Sequence, residues 1–309
     1  GDTIIDQYIA CDALGMSAEA PVVVLRELDQ QDFLGGASIV AAHIAAMGAN
    51  CHYISVVGND ENGENLGSRL DELGVSHDLI IDETRPTTYK IRYMVEHQKM
   101  FRVSRLKEHN LSAAIEGQII DQLHKAAVTA DGILISDFVY GCVTPKILDV
   151  VRQLAKEYDL KIFGDVQCSS QLGNVLKFQD FNLITPTERE ARISLGNKDD
   201  GLEVLANALI AHTLTKNMVL KLGGEGFITY MNNSDGSISR EHFPALVVNP
   251  IDVTGAGDSL LAALAVGLCS HANIMEAAAI GTCVASNSVT TIGNKPITLD
   301  KIFDLLRKI

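Results

Sequence analysis

Positive charge is scarce in this 309-residue chain: 25 Lys and Arg stand against 39 Asp and Glu, a formal net charge of −14. Gripping a nucleic-acid backbone takes clustered cations, so that class of partner is disfavoured. A small phosphorylated ligand is not, because a few local cations and backbone amides suffice for it. No apolar run is long enough to span a bilayer, and no basic, apolar and small-residue leader opens the sequence. Neither nucleic acid nor membrane is therefore an expected partner. The six cysteines (11, 51, 142, 168, 269, 283) lack Cys-x-x-Cys spacing and His partners, and the nine histidines are scattered. That argues against a disulfide framework or a metal cluster, and for buried free thiols in a reducing cytoplasm. There is no internal repeat, low-complexity tract or long linker. No Gly-x-Gly-x-x-Gly follows an early strand with an acidic residue about twenty positions on, which argues against a dinucleotide-dependent oxidoreductase.

What is present is ordinary for a soluble domain with a large core: 47% hydrophobic and 21% charged residues. One α/β domain with an appendage accommodates it. Residues 1 to 9 read as the end of a strand and a turn, and 20 to 28 as a strand rich in β-branched residues. Gly35-Gly36 precedes an alanine-rich helix from Ser38 to Met47, where close approach of a ligand and tight helix packing are both open readings. A strand from Cys51 to Gly58 and a capped helix from Asn59 to Leu73 follow. Residues 84 to 106 read as a hairpin around His97-Gln98-Lys99. From residue 112 strands and helices alternate, with strands at Gly132 to Ser136, Lys161 to Asp165, Phe181 to Thr185, Met218 to Leu222 and Phe227 to Met231. Helices at 112–127, 144–158, 187–195 and 201–213 lie between them. This is the pattern of a mainly parallel sheet covered on both faces. Ligands gather at the carboxyl ends of such strands, which here carry Asp137, Asp165, Gln167, Thr187, Glu188, Glu190 and the turn Gly223-Gly224-Glu225-Gly226.

The most informative stretch is Asp252-Val253-Thr254-Gly255-Ala256-Gly257-Asp258, leading into a small-residue segment, Ser259 to Leu268, that reads as a buried helix. Glycines there let backbone amides crowd at a helix start, where the dipole favours an anion. A carboxylate in that place, Asp258, opposes the local field unless it works, for example by taking a proton from a hydroxyl that attacks a phosphate. Gly-Ala-Gly alone is equally an ordinary helix start; the whole pattern is far more specific.

This segment resembles the C-terminal signature of the ribokinase-like (PfkB) sugar kinases. Gly58-Asn59-Asp60-x-x-Gly63, with Gly35-Gly36 before it, resembles their N-terminal signature. Within the family the chain is similar to the heptose-7-phosphate kinase domains of ADP-heptose synthesis (HldE/RfaE type). The similar segments are Gly1-Asp2-x-x-x-Asp6-x-Tyr8, Thr87-Thr88-x-Lys90-x-Arg92, His97-Gln98 with Arg102, Ser136-Asp137-Phe138, and Thr185-Pro186-Thr187-Glu188-x-Glu190. Departures fall around the expected sugar site: Tyr140 where a lysine is usual, Gly15-Met16-Ser17 before Ala18-Glu19, Thr187 where an Asn is usual, Val103-Ser104, and Gln167 in place of a Lys.

The resemblance implies a three-layer α/β sandwich, mostly parallel and flanked by helices, with a small β-sheet lid from about 8–28 and 84–106. It implies a single kinase domain over 1–309, with an N-terminal strand, and room for a further domain, outside these residues; the sequence opens Gly1-Asp2 without an initiator Met. By the same token Asp258 is the catalytic base and Gly255, Ala256 and Gly257 form the anion hole. ATP and Mg²⁺ fall to Thr187, Glu190 (holding Mg²⁺ through water), Lys221, Gly223, Gly224, Gly226 and, beside adenine, Asn287 on a helix Ala277 to Ser288. The sugar falls to Asp6, Gly35, Gly36 and Asp137, and a phosphate already on it to Lys90, Arg92 and Arg102; that trio is equally readable as a solvated strand face. A monovalent cation (K⁺) is expected near Asp252, and a homodimer through the lid. The alternatives are a PfkB kinase for another sugar or a nucleoside, and a degenerate kinase serving as a sugar- or nucleotide-binding regulator.

Overall fold

The computed structural model describes residues 1–167, 172–233 and 235–307. Its first half runs β1 (Thr3–Met16), β2 (Val23–Gly36), α1 (Ala37–Ala46), β3 (His52–Val57), α2 (Glu61–Glu72), β4 (Ser76–Ile81), β5 (Tyr89–Val95) and β6 (Gln98–Arg105). Next come α3 (Ala113–Ala127), β7 (Gly132–Asp137), α4 (Pro145–Tyr158), β8 (Lys161–Val166), β9 (Leu183–Ile184), α5 (Glu188–Leu195) and α6 (Leu202–Thr213). The last part holds β10 (Asn217–Lys221), β11 (Phe227–Asn232), β12 (Ile238–Phe243), α7 (Ala256–Cys269), α8 (Ile274–Ser288) and α9 (Leu299–Leu306).

The main sheet has the order β12-β11-β10-β9-β8-β7. Strands β7 to β10 are parallel, and β11 and β12 add antiparallel. Neighbouring strand residues face opposite ways, and here both directions end in a core. Ile162, Ile184 and Leu220 pack with α3, α4, α5 and α6, whereas Phe163, Leu183 and Val219 pack with α1, α7, α8 and α9. Two covered faces explain why these strands read as continuous apolar runs. Helix α7 is apolar all round because it lies inside: Leu260 through Ala265 are all buried.

The lid is a separate four-stranded sheet of order β2-β1-β5-β6. Here the structure corrects the sequence reading. Residues 3 to 16 form one long strand where the end of a strand and a turn are expected, and β2 runs through Phe33 to Gly36. The lid thus reaches down to the site at both ends, and Gly36 is the last lid residue as well as the N-cap of α1, at φ +60°. Strands β4 and β12 and helix α9 are further elements that the sequence pattern does not announce.

Beside the lid, among the described residues, β3 pairs only with β4 and β7 only with β8. Residues 1 and 2 touch both, through Gly1 to the Ile54 carbonyl (3.2 Å) and the Asp2 amide to the Ser136 carbonyl (3.1 Å). A cavity of about 920 Å³ lies there, lined by Val40, Ile44, Ile133, Phe163 and Ala265 among others. Among the described residues, Cys11, Cys142 and Cys283 are buried free thiols and Cys51 and Cys269 are half-buried ones; Cys168 lies outside the described residues. No helix among them is long and apolar enough to cross a membrane.

Candidate active site

Asp258 is the third residue of α7, whose N-cap, Gly255, adopts φ +81°. A side chain there would be strained, and its Cβ would overlap Asn294. The helix start leaves the Gly257 and Asp258 amides without intrahelical acceptors, as an anion hole requires. Asp258 is buried. Burial, then the nearby Asp165 carboxylate, push its carboxyl up to about 8, against the opposing pull of Lys221. Its Oδ1 accepts a hydrogen bond from Gln167 Nε2 (2.8 Å). Gln167 follows β8, so the change at this position from the usual Lys puts a neutral amide against the Asp258 carboxyl. Lys221, at the end of β10, donates to Asp165 Oδ1 (2.8 Å), which also accepts from Thr185 Oγ1 (2.7 Å). A Cβ on Gly257 would stand 3.4 Å from Lys221 Nζ, so that ammonium lies directly against the glycine turn. Burial pulls the Lys221 ammonium down, but Asp165 and Glu190 outweigh it and raise it.

The underside of the lid faces this centre. In the β1–β5 and β5–β6 registers Asp6, Lys90 and Ser104 align, as do Tyr8, Arg92 and Arg102. Lys90 and Arg92 are buried, which overturns the solvated-face reading for both; Arg102 is exposed on the rim. Arg92 forms an ion pair with Asp6, whose other oxygen accepts from Asn294 Nδ2 (3.3 Å). Asp6 is thus held by protein partners, and Arg92 is committed to it. Gly35 is glycine for a visible reason: a Cβ would collide with the Asp6 carboxylate. Lys90 differs from Arg92. It is 4% exposed, and its Nζ lies 5.1 and 5.2 Å from the ring centroids of Phe138 and Tyr140. Among the described residues no carboxylate pairs with it. The Tyr140 departure therefore supplies an aromatic wall to a buried cation.

The loop carrying Phe138 and Tyr140 is fixed by Asp2, which accepts from the Phe138 (2.7 Å), Tyr140 (3.4 Å) and Cys142 (3.3 Å) amides. Val139 within it sits at φ +64°, a conformation costly for a β-branched residue and typical of functional loops. Asp137 is brought to the site but is not free to grip a hydroxyl alone: it forms an ion pair with Lys177. Burial lowers the Lys177 ammonium to about 8. Sequence reasoning missed Lys177 and Asn294, since nothing local marks either.

Where the nucleotide is expected, Thr187 and Glu190 form a reciprocal capping box at the start of α5, Thr187 Oγ1 accepting from the Glu190 amide (3.2 Å) and Glu190 Oε2 from the Thr187 amide (2.7 Å). Glu188 pairs with Arg192 one turn on. Glu190 and Thr187 therefore have a structural task at this strand end, next to Lys221, whose amide bonds the Pro186 carbonyl (2.8 Å). Gly223, Gly224 and Gly226 lie in the short turn that joins the antiparallel strands β10 and β11. Asn287 donates to the Cys283 carbonyl one turn back in α8 (3.1 Å), an intrahelical contact and no mark of a base pocket.

A buried carboxylate at a glycine-rich helix start, at the carboxyl ends of a parallel sheet and beneath Lys90 and Arg92, fits a phosphotransferase acting on a small hydroxyl substrate. The model of the pfkB family of carbohydrate kinases matches residues 1–300, and the chain belongs to that family. Among curated proteins it is 29% identical over 308 residues to the bifunctional protein HldE of Pelobacter propionicus, covering 98% of this chain and 62% of that protein. It is 30% identical over 310 residues to HldE of Helicobacter hepaticus, covering 99% and 62%. The chain thus spans about three fifths of the length of these relatives. Among solved structures, phosphofructokinase-2 from Escherichia coli in complex with substrates and products superposes with a TM-score of 0.80 at 17% identity, covering 99% and 96% of the two chains. Ribokinase from Thermotoga maritima gives 0.77 at 22%, covering 99% and 97%. The fold is ribokinase-like, as membership of the pfkB family of carbohydrate kinases requires.

Proposed function

We propose that this kinase transfers the γ-phosphoryl group of Mg²⁺-ATP to a hydroxyl of a sugar that already carries a phosphate, of the D-glycero-D-manno-heptose 7-phosphate type. One observation carries the second phosphate: Lys90, a buried ammonium on the lid underside without a carboxylate partner among the described residues, whose charge also acts on Asp258. An unpaired buried cation is costly unless an anion joins it. The HldE relatives favour a heptose as the sugar. Asp258 takes the hydroxyl proton, and the Gly257 and Asp258 amides hold the charge that develops on the phosphoryl oxygens, the expected Ala256 amide being taken by the Val253 carbonyl (3.3 Å). Lys221 and the Gly223–Gly226 turn would line the nucleotide phosphates, and Glu190 would hold Mg²⁺ through water, which would supply positive charge against those phosphates. The donor set suits that ligand, with one lysine and a glycine turn at adjoining strand ends.

The measurement is ATP consumption against free and phosphorylated heptoses, hexoses and pentoses, and against nucleosides. Turnover on the 7-phosphorylated heptose well above its free form is the expected result. Equal rates on the free sugar, or preference for a nucleoside, refute the phosphate reading. Binding without any turnover favours the regulator.

We also propose that the lid pairs two copies of the chain. Leu14, Met16, Val23, Leu28, Phe101 and Val103 expose apolar surface on the lid strands, more than isolated residues would. Sedimentation is expected to give a dimer that Phe101→Lys dissociates; a monomeric wild type removes the idea.

A further inference from the structure

The Asp252 carboxylate is closed by the protein itself. Its Oδ1 accepts from the Lys99 ammonium (2.8 Å), the Thr254 amide (3.0 Å) and the Thr254 hydroxyl (2.8 Å). Its Oδ2 accepts from the Tyr8 hydroxyl (2.7 Å) and the Gly293 amide (3.2 Å). A carboxylate offers about four lone-pair sites, so these donors leave none for an added ion. The neighbouring Val289 carbonyl is occupied too, by the amides of Ile251 (2.8 Å) and Asp252 (3.4 Å). An alkali-metal ion needs oxygens free to replace its hydration shell, whereas this place presents hydrogens. Neither the Asp252 carboxylate nor the Val289 carbonyl is therefore open to the monovalent ion expected there.

Lys99 supplies the single positive charge that such an ion would bring. It stands at the turn of the lid hairpin, beside the first residue of β6, and also donates to Thr254 Oγ1 (2.7 Å). Thr254 precedes Gly255, so the ammonium braces the loop from which the anion hole begins. We propose that Lys99 is the resident monovalent cation of the Asp252 site, carried by the lid, and that it makes the kinase independent of K⁺. Burial alone would raise the Asp252 carboxyl, yet Lys99, Tyr8 and Thr254 hold it at about 2. A second consequence follows from the geometry. The cation belongs to the lid, so opening the lid withdraws it, and the loop before α7 is braced only when the lid is down.

The turnover arm of the test rests on the kinase reading; the melting arm does not. Thermal melting and turnover are compared in chloride salts of K⁺, NH₄⁺ and choline at equal ionic strength, for the wild type, Lys99→Met and Asp258→Asn. Lys99 is 40% exposed at its side chain, so Lys99→Met does not threaten folding. The wild type is expected to melt and turn over alike in all three salts. Lys99→Met is expected to turn over about tenfold more slowly in choline, the loss of one partly exposed charge-assisted contact, and to recover in NH₄⁺ or K⁺ in both rate and melting temperature. Asp258→Asn is expected to lose turnover yet melt alike in the three salts, which separates a failed kinase reading from a failed Lys99 assignment. Wild-type melting or turnover that rises with K⁺ overturns the proposal, as does a Lys99→Met protein matching the wild type in choline. A slow Lys99→Met that neither ion restores also overturns it, leaving Lys99 a plain latch.

Discussion

Asp258→Asn is expected to lower turnover by about 10³-fold or more, since a positioned general base contributes about 10²–10⁴ and the amide cannot take the proton. Substrate and nucleotide binding should change little, because the isosteric amide still meets Gln167. The same substitution has an opposite effect on stability. The carboxyl stands at about 8 in the folded protein and near 3.9 in an unfolded chain. Between those values the folded state keeps a proton that the unfolded state releases, so stability falls as pH rises from about 4 to about 8 and is level beyond. The neutral amide carries no such penalty. The melting temperature of Asp258→Asn should therefore exceed that of the wild type by a margin that widens from pH 5 to pH 8 and then stays constant. Calorimetry over that range decides it, and parallel curves would show that burial does not hold the proton. In the free wild-type enzyme kcat/KM should climb with pH towards about 8, the base being idle while protonated.

The second large effect is at the lid root. Arg92→Met leaves the Asp6 carboxylate buried with Asn294 as its remaining partner among the described residues. Removing one member of a buried pair costs about 3–5 kcal/mol, a fall in melting temperature of roughly 5–10 °C for a protein of this size. The double variant Asp6→Asn/Arg92→Met, with no stranded charge, should regain most of that. Because Asp6 lies against Gly35 on the lid underside, where the sugar is proposed to bind, the single variant is also expected to raise the sugar KM more than the ATP KM. A single variant as stable as the wild type would mean that Asp6 is hydrated and that the pair contributes nothing.

The chemistry of this chain was legible where it is local. Asp252 to Asp258 is a contiguous segment, and a glycine turn, a helix start and an acid cannot be read apart from one another. The parallel sheet was legible for the same reason, because strands buried on both faces must be apolar throughout. Lys221 and Gln167 could be placed at strand ends, though not against Asp165 and Asp258. What no single stretch carries is which charges meet. Arg92 pairs with Asp6 from 86 positions away, Lys99 with Asp252 from 153, and Lys177 with Asp137. Those pairings decide that, of the buried cations on the lid, Lys90 is left without a carboxylate among the described residues, and that the Asp252 site is filled by an ammonium. The sequence by itself specified the glycine-capped helix start at Asp252–Asp258 and the layers, through periodicity and backbone chemistry that act within a few residues. Only the tertiary structure chose the partner of each buried charge, because that choice depends on desolvation and distance, which exist only once the lid has closed on the sheet.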